Sequence, residues 1–139
     1  MYSNILVPID LSHGDVGERI LKLARHIGGP EAKITVLTVM DDIPAFVASQ
    51  IPEEVVATHH ADVRDRITAL VEAGEGPTTV SIRKGNPGSV ILDEAEQISA
   101  DAIILGSHRP DYRDYLIGST AARVVRHAQC SVIVDRSMA

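Results

Sequence analysis

The chain has 139 residues, a formal net charge of −6, 45% hydrophobic and 23% charged residues, which predicts one globular domain over 1–139. The acidic balance argues against a phosphate-backbone partner, and four aromatic residues, Tyr2, Phe46, Tyr112 and Tyr115, give no stacking platform, so no nucleic acid is expected. No apolar run approaches the ~18 residues that cross a bilayer, so no membrane partner is expected, whereas a small anion held by backbone amides stays open.

The first predicted strand is Asn4 to Ile9, interrupted by Asp10. It is too short and too close to Met1 for a signal peptide. The lone Cys130 can close no internal disulfide, so a cytoplasmic protein that stands on packing is expected. From Asp15 to Ile27, Val16, Ile20, Leu23, Ala24 and Ile27 recur at helical spacing, with Glu18, Arg19, Lys22 and Arg25 opposite. Gly28, Gly29 and Pro30 end that helix. The second strand is Lys33 to Met40. An irregular stretch, Asp41 to Ile51, is read as a flap. A longer helix follows, Pro52 to Ala73, with Pro52 in its first turn, Glu53 and Glu54 at its positive end, and a stripe of Val55, Val56, His59, Val63, Ile67, Leu70 and Val71.

The third strand is Thr78 to Ile82, the third helix Pro87 to Ile98, the fourth strand Ala102 to Leu105. A second irregular stretch, Ser107 to Ile117, precedes a helix from Ser119 to Ala128 with a face of Ala121, Val124, Val125 and Ala128, and Ser131 to Val134 is the fifth strand. Strands one, four and five are apolar throughout and expected inside; two and three partly alternate and are expected nearer an edge. The alternation of strands and helices predicts an α/β fold with a parallel sheet. Both irregular stretches leave carboxyl ends of strands, where open α/β sheets bind ligands.

At that edge, Gly118, Ser119 and Thr120 open the last helix, leaving free N–H groups beside two hydroxyls at the positive end of the helix. They fit an anion site, a phosphate above all, or an ordinary N-cap. Gly106 at the end of strand four would let a ligand approach the backbone. Asp10 at the end of strand one could accept from ribose hydroxyls or cap the first helix. Neither G-x-x-x-x-G-K-[ST] nor G-x-G-x-x-G occurs.

Together, Pro8-Ile9-Asp10, Val39, Gly85-Asn86-Pro87, Ala100 to His108 and Gly118-Ser119 resemble the universal stress protein family. The tail from Gly106 to Arg136 is similar to its small F/G-type bacterial members. The resemblance covers essentially the whole chain. It implies an open five-stranded parallel sheet of order 3-2-1-4-5 with helices on both faces, the adenine nucleotide alpha hydrolase-like fold. It also implies ATP, or AMP or ADP, with Mg²⁺, in a site made by Pro8, Ile9, Asp10, Val39, Gly106, Ser107, His108, Arg109, Gly118, Ser119 and Thr120. Asp10 and Gly106 would meet ribose, the Val39 backbone adenine, and Gly118, Ser119 and Thr120 phosphates. The family's G-x2-G-x9-G-[ST] motif is altered here. Arg109 replaces the second glycine, and eight residues rather than nine precede Gly118. Arg109 either blocks the backbone approach or replaces lost donors with a guanidinium. The resemblance further implies a homodimer through the C-terminal strand, Ser131 to Asp135, whose apolar edge would otherwise be bare.

Other residues carry weaker signals. His59 and His60 diverge by roughly 100° on a helix, His13, His26 and His127 are isolated, and Cys130 reads as a packed thiol. Asp41, Asp42, Asp111, Arg113 and Asp114 read as solvated, and Tyr112 and Tyr115 as packing over the site. No general base and nucleophile are assembled, so no fast catalysis is expected. The reading is a nucleotide-binding stress-response regulator. Its rivals are a slow ATPase or autophosphorylating protein using Ser119 or Thr120, and an interaction protein without nucleotide, which Arg109 favours.

Overall fold

The computed structural model describes residues 1–11, 16–40, 44–106 and 118–136. The expectations for Ser12, His13, Asp15, Asp41, Asp42 and the stretch Ser107 to Ile117, and for the side chain of Val16, lie outside the described residues. The elements in chain order are β1 (Asn4–Pro8), α1 (Val16–Gly28), β2 (Lys33–Met40), α2 (Ala45–Ala48), α3 (Glu53–Glu72), β3 (Thr78–Lys84), α4 (Pro87–Gln97), β4 (Ala102–Gly106), α5 (Ser119–His127) and β5 (Ser131–Asp135). The strands form one parallel sheet of order β3-β2-β1-β4-β5.

Alternate residues of each strand point to opposite faces, and the core is divided accordingly. On one face Ile5, Val7, Ile34, Val36, Ala102 and Ile104 pack under Ile20 and Ala24 of α1 and Ile67 of α3. On the other, Leu6, Leu37, Ile103 and Leu105 pack under Val90, Ile91 and Ala95 of α4 and Ala121 and Val124 of α5. Each fully buried Ile or Leu contributes about 1.5–3 kcal/mol by leaving water. Helices on both faces are therefore what the continuous apolar runs of β1 and β4 require.

Strand placement departs from expectation twice. β2 is interior and buried along most of its length, while β5, apolar from Val132 to Val134, is a half-buried edge, against the composition pattern but as the order 3-2-1-4-5 implied by the resemblance has it. Thr35 and Thr38 give β2 its alternating look, yet both are buried. The long helix also differs. Only Val63 and Ile67 of its stripe are buried, Leu70 and Val71 are partly buried, and Val55 and His59 are exposed. A 20-residue helix is about 30 Å long, while the seven residues of β3 span about 23 Å, so its first turns overhang the sheet. Pro52 is its N-cap rather than a first-turn residue, its carbonyl accepting from the N–H groups of Val55 and Val56. Residues 45–48 of the expected flap form the short α2.

Helix ends follow their sequence signals. Gly29, at φ +87°, closes α1, its N–H donating to the Arg25 carbonyl at 2.8 Å. Asn86 caps α4 by accepting from the Ser89 N–H at 3.2 Å, with Pro87 next in the first turn. Arg19 and Arg25, expected on the solvated side of α1, are both engaged. Arg19 pairs with Asp135 at 3.2 Å, and the Arg25 guanidinium donates to the carbonyls of Gly29, Ala32 and Pro77.

The amino end of the sheet is pinned by Asp101. Its carboxylate accepts from the N–H groups of Ser3 (2.9 Å) and Asn4 (3.1 Å) and from the Ser3 hydroxyl, tying the entry of β1 to that of β4. Burial pushes the Asp101 carboxyl up, but these donors outweigh it and hold it below its usual value of 3.8. A carboxyl depressed in the folded state stabilises above its unfolded value, and that contribution is lost as pH falls through the folded value. Asp101→Ala is expected to cost about 1–2 kcal/mol at pH 7, with a difference from wild type that shrinks once pH drops below the ordinary carboxyl range. Urea unfolding across pH checks both; a pH-independent difference would show that the carboxylate's charge is not the cause.

Candidate functional site

In a parallel sheet every strand delivers its last residue to the same edge, and the carboxyl ends of β1, β2 and β4 carry the predicted residues. Pro8 is the last residue of β1, and Ile9 and Asp10 follow; Ile9 is buried and Asp10 exposed. Val39 is the penultimate residue of β2, half-buried and paired in register with Arg83. Gly106 ends β4, in register with Asp135 of β5. Gly118 is the N-cap of α5, followed by the exposed Ser119 and the half-buried Thr120. Ser107, His108 and Arg109 lie outside the described residues.

The order β3-β2-β1-β4-β5 reverses direction between β1 and β4, which makes that junction the switch point where such sheets open a crevice. Local pairing also differs on the two sides of β1. The β1–β2 ladder runs to Pro8↔Leu37 and continues with the Ile9 N–H donating to the Leu37 carbonyl at 2.8 Å, whereas among the described residues the β1–β4 ladder ends at Leu6↔Ile103. Pro8 explains the difference. Backbone donors alternate sides along a strand, so with Ile9 donating toward β2, the donor at position 8 would face β4, and proline has none. Among the described residues, the register pairs of β1 continue past Leu6 only with β2.

After β4, α5 begins with an N-terminus that has no side-chain cap hydrogen bond. Gly118 makes no side-chain cap hydrogen bond, and its carbonyl accepts from Ala122 at 2.9 Å. A Cβ built on Gly118 meets nothing within 4 Å. Of the two readings of Gly118-Ser119-Thr120, the N-cap is present as Gly118, made through its backbone and not through the Ser119 side chain. The first-turn N–H groups are donors beside two hydroxyls at the positive end of the helix, an arrangement suited to an anion.

The turn around Asp10 is fastened by residues that pattern reading passed over. The buried Thr38 hydroxyl donates to the Ile9 carbonyl at 3.4 Å, and Arg66 of α3 donates to the Leu11 carbonyl at 2.9 Å. Thr38 breaks the apolar run of β2, and that polar interruption was the available signal. Arg83, beside Val39, holds β3 to α4 through Asp93 (2.8 Å) and the buried Glu94 (3.2 Å), and hydrogen bonding to Asp93 foremost raises its guanidinium pKa. Cys130 is half-buried, and burial pushes its thiol up, which fits packing rather than nucleophilic chemistry. Among the described residues no three His, Cys, Asp or Glu side chains gather as metal ligands, and no helix is long and apolar enough to cross a membrane.

A cavity of about 250 Å³ lies elsewhere, between α1 and α3, walled by Leu21, Ile34, Leu70 and Val71 and rimmed by Lys22 and Arg25. Ile34 and Thr78 place it at the amino end of the sheet, opposite Asp10 and Gly118. It contains none of the predicted residues.

The model of the universal stress protein family matches residues 1–136. The chain belongs to the universal stress protein family. It is 27% identical to Universal stress protein G of Salmonella typhimurium, covering 98% of this chain and all of that one. Its structure is similar to that of universal stress protein UspA from Lactobacillus plantarum, with a TM-score of 0.71, 31% identity and coverage of 97% and 98%. The same fold, the adenine nucleotide alpha hydrolase-like one, recurs in two more distant family members. One is a universal stress protein in complex with cAMP (TM-score 0.68, 20% identity, 97% of each chain). The other is that of Archaeoglobus fulgidus in complex with dAMP (TM-score 0.58, 22% identity, 97% and 98%).

Proposed function

We propose that this chain is a cytoplasmic stress-response regulatory protein that binds an adenine nucleotide, ATP with Mg²⁺, at the carboxyl ends of β1 and β4. The observation that carries the reading is the start of α5, capped by Gly118 without a side-chain hydrogen bond and with space over its Cα, on the sheet edge where the β1–β4 register stops. In this reading Gly118, Ser119 and Thr120 hold phosphates through backbone and hydroxyl donors. Asp10 and Gly106 meet ribose, the Val39 backbone meets adenine, and Pro8 and Ile9 form the wall. Ser107, His108 and Arg109 complete the loop by resemblance to the family. Family members in complex with cAMP and dAMP support an adenine nucleotide as the ligand class. The missing motif glycine at Arg109 is compatible with binding because a guanidinium offers charged donors for phosphate. In this reading the bound nucleotide acts as a signal, with slow ATP hydrolysis or autophosphorylation at Ser119 or Thr120 as the rival.

Calorimetry of ATP, ADP and AMP with Mg²⁺ tests the reading. Gly118 sits at φ −62° and ψ 158° with open space over its Cα, so Gly118→Val is expected to fold normally. It should weaken ATP by at least about tenfold by crowding the phosphates off charge-assisted donors. Absence of heat with every nucleotide would favour the interaction protein without nucleotide.

The same proposal includes a homodimer through Ser131–Asp135. β5 is an edge with half-buried Val132, Ile133 and Val134, and Val125 of α5 is nearly half exposed at 48%. Sedimentation is expected to give a dimer at micromolar concentration; a monomer there would contradict the pairing.

A further inference from the structure

Asp10 stands between two carbonyls that the protein holds from outside the turn. The Ile9 carbonyl accepts from the hydroxyl of Thr38, 5% exposed, and the Leu11 carbonyl accepts from Arg66 on α3. The Ile9 carbonyl and the Asp10 N–H belong to one planar peptide unit, so a bond to the former fixes the plane from which the Asp10 side chain departs. The Ile9 N–H is held by the Leu37 carbonyl, and the Ile9 side chain is packed so closely by α1 that a Cβ on Gly17 would lie 2.9 Å from it. A buried hydroxyl in a strand covered on both faces costs free energy unless it is bonded. Valine has the same shape and suits such a strand better. The hydroxyl of Thr38 is thus spent on the residue before Asp10, and Arg66 reaches across from another element for the residue after it.

We infer that Thr38 and Arg66 are positioning residues that aim the Asp10 carboxylate at the ribose hydroxyls of the nucleotide, an inference that rests on the nucleotide reading above. They touch no ligand themselves. A carboxylate held in place discriminates a ribose from a sugar without hydroxyls by the hydrogen bonds it is preset to accept; one on a loose turn pays ordering entropy first.

The test measures the dissociation constants of Mg·ATP and of Mg·2′,3′-dideoxy-ATP, which lacks both ribose hydroxyls, for the full chain and its variants. Wild type is expected to prefer ATP. Thr38→Val and Arg66→Met are each expected to lower that preference about 3- to 10-fold, the worth of one hydrogen bond. Thr38→Ser, which keeps the hydroxyl, should retain it. In an Asp10→Ala background, neither substitution should change the ratio further. Equal weakening of both nucleotides, or a change of ratio that persists without Asp10, would overturn the inference by showing a merely structural role. Arg66 is exposed, so its variant folds even where Thr38→Val does not. A wild type that binds ATP without preferring it overturns the inference and leaves the nucleotide reading standing, whereas a wild type that binds neither nucleotide overturns both.

Discussion

The missing N–H of Pro8 is the constraint on which the arrangement of this edge depends. The two central strands of the sheet, β1 and β4, pair through Leu6↔Ile103. The next donor that would extend the ladder toward β4 belongs to a proline. Among the described residues the register therefore continues only with β2, through Pro8↔Leu37 and the Ile9 bond to Leu37. The strand order reverses at this junction, with Asp10 after β1 and Gly106 at the end of β4. The described residues assigned to the site stand on this edge because all five strands are parallel.

The two ends of the sheet are built differently. The amino end is closed by polar ties: Asp101 to Ser3 and Asn4, the Asn4 side chain to the Ile98 carbonyl at 2.6 Å, and Arg25 across Gly29, Ala32 and Pro77. Gly76 is glycine, at φ +82°, where any Cβ would run into the Arg25 guanidinium. At the carboxyl end the ties serve the backbone of the turns, Thr38 to Ile9 and Arg66 to Leu11, and α5 starts at Gly118 without a side-chain cap. Binding residues on turns held by a fixed scaffold are the usual arrangement of a ligand site.

Much of this was legible in the sequence. Short β-branched runs separated by helical periods gave the α/β pattern, and Gly29, Asn86-Pro87 and Gly118 marked helix ends that the structure contains. What pattern reading misjudged depends on tertiary neighbours. Threonines made β2 look half-solvated, yet strands on both sides and helices above and below bury it. β5 looked interior because its composition is apolar, but an edge strand can be equally apolar where its outer side meets another surface. The stripe of α3 was read to its first turn because periodicity does not reveal that a helix outruns the sheet beneath it. Arg25, Arg66 and Thr38 were invisible as ties because their acceptors are backbone carbonyls distant in sequence, and no side-chain pattern records those. The order of the strands came from resemblance to the family, whereas Asp10, Gly106 and Gly118 to Thr120 were legible from their residue types at strand and helix ends.

The central claim is that the ligand edge is the one at Asp10 and Gly118, not the cavity between α1 and α3. Amide chemical-shift mapping by NMR on addition of Mg·ATP separates the two. The account predicts that the perturbed amides gather at Asp10, Val39, Gly106 and Ser119 to Ala121. Perturbation centred on Leu21, Leu70 and Gly74, at the opposite end of the sheet, would contradict it.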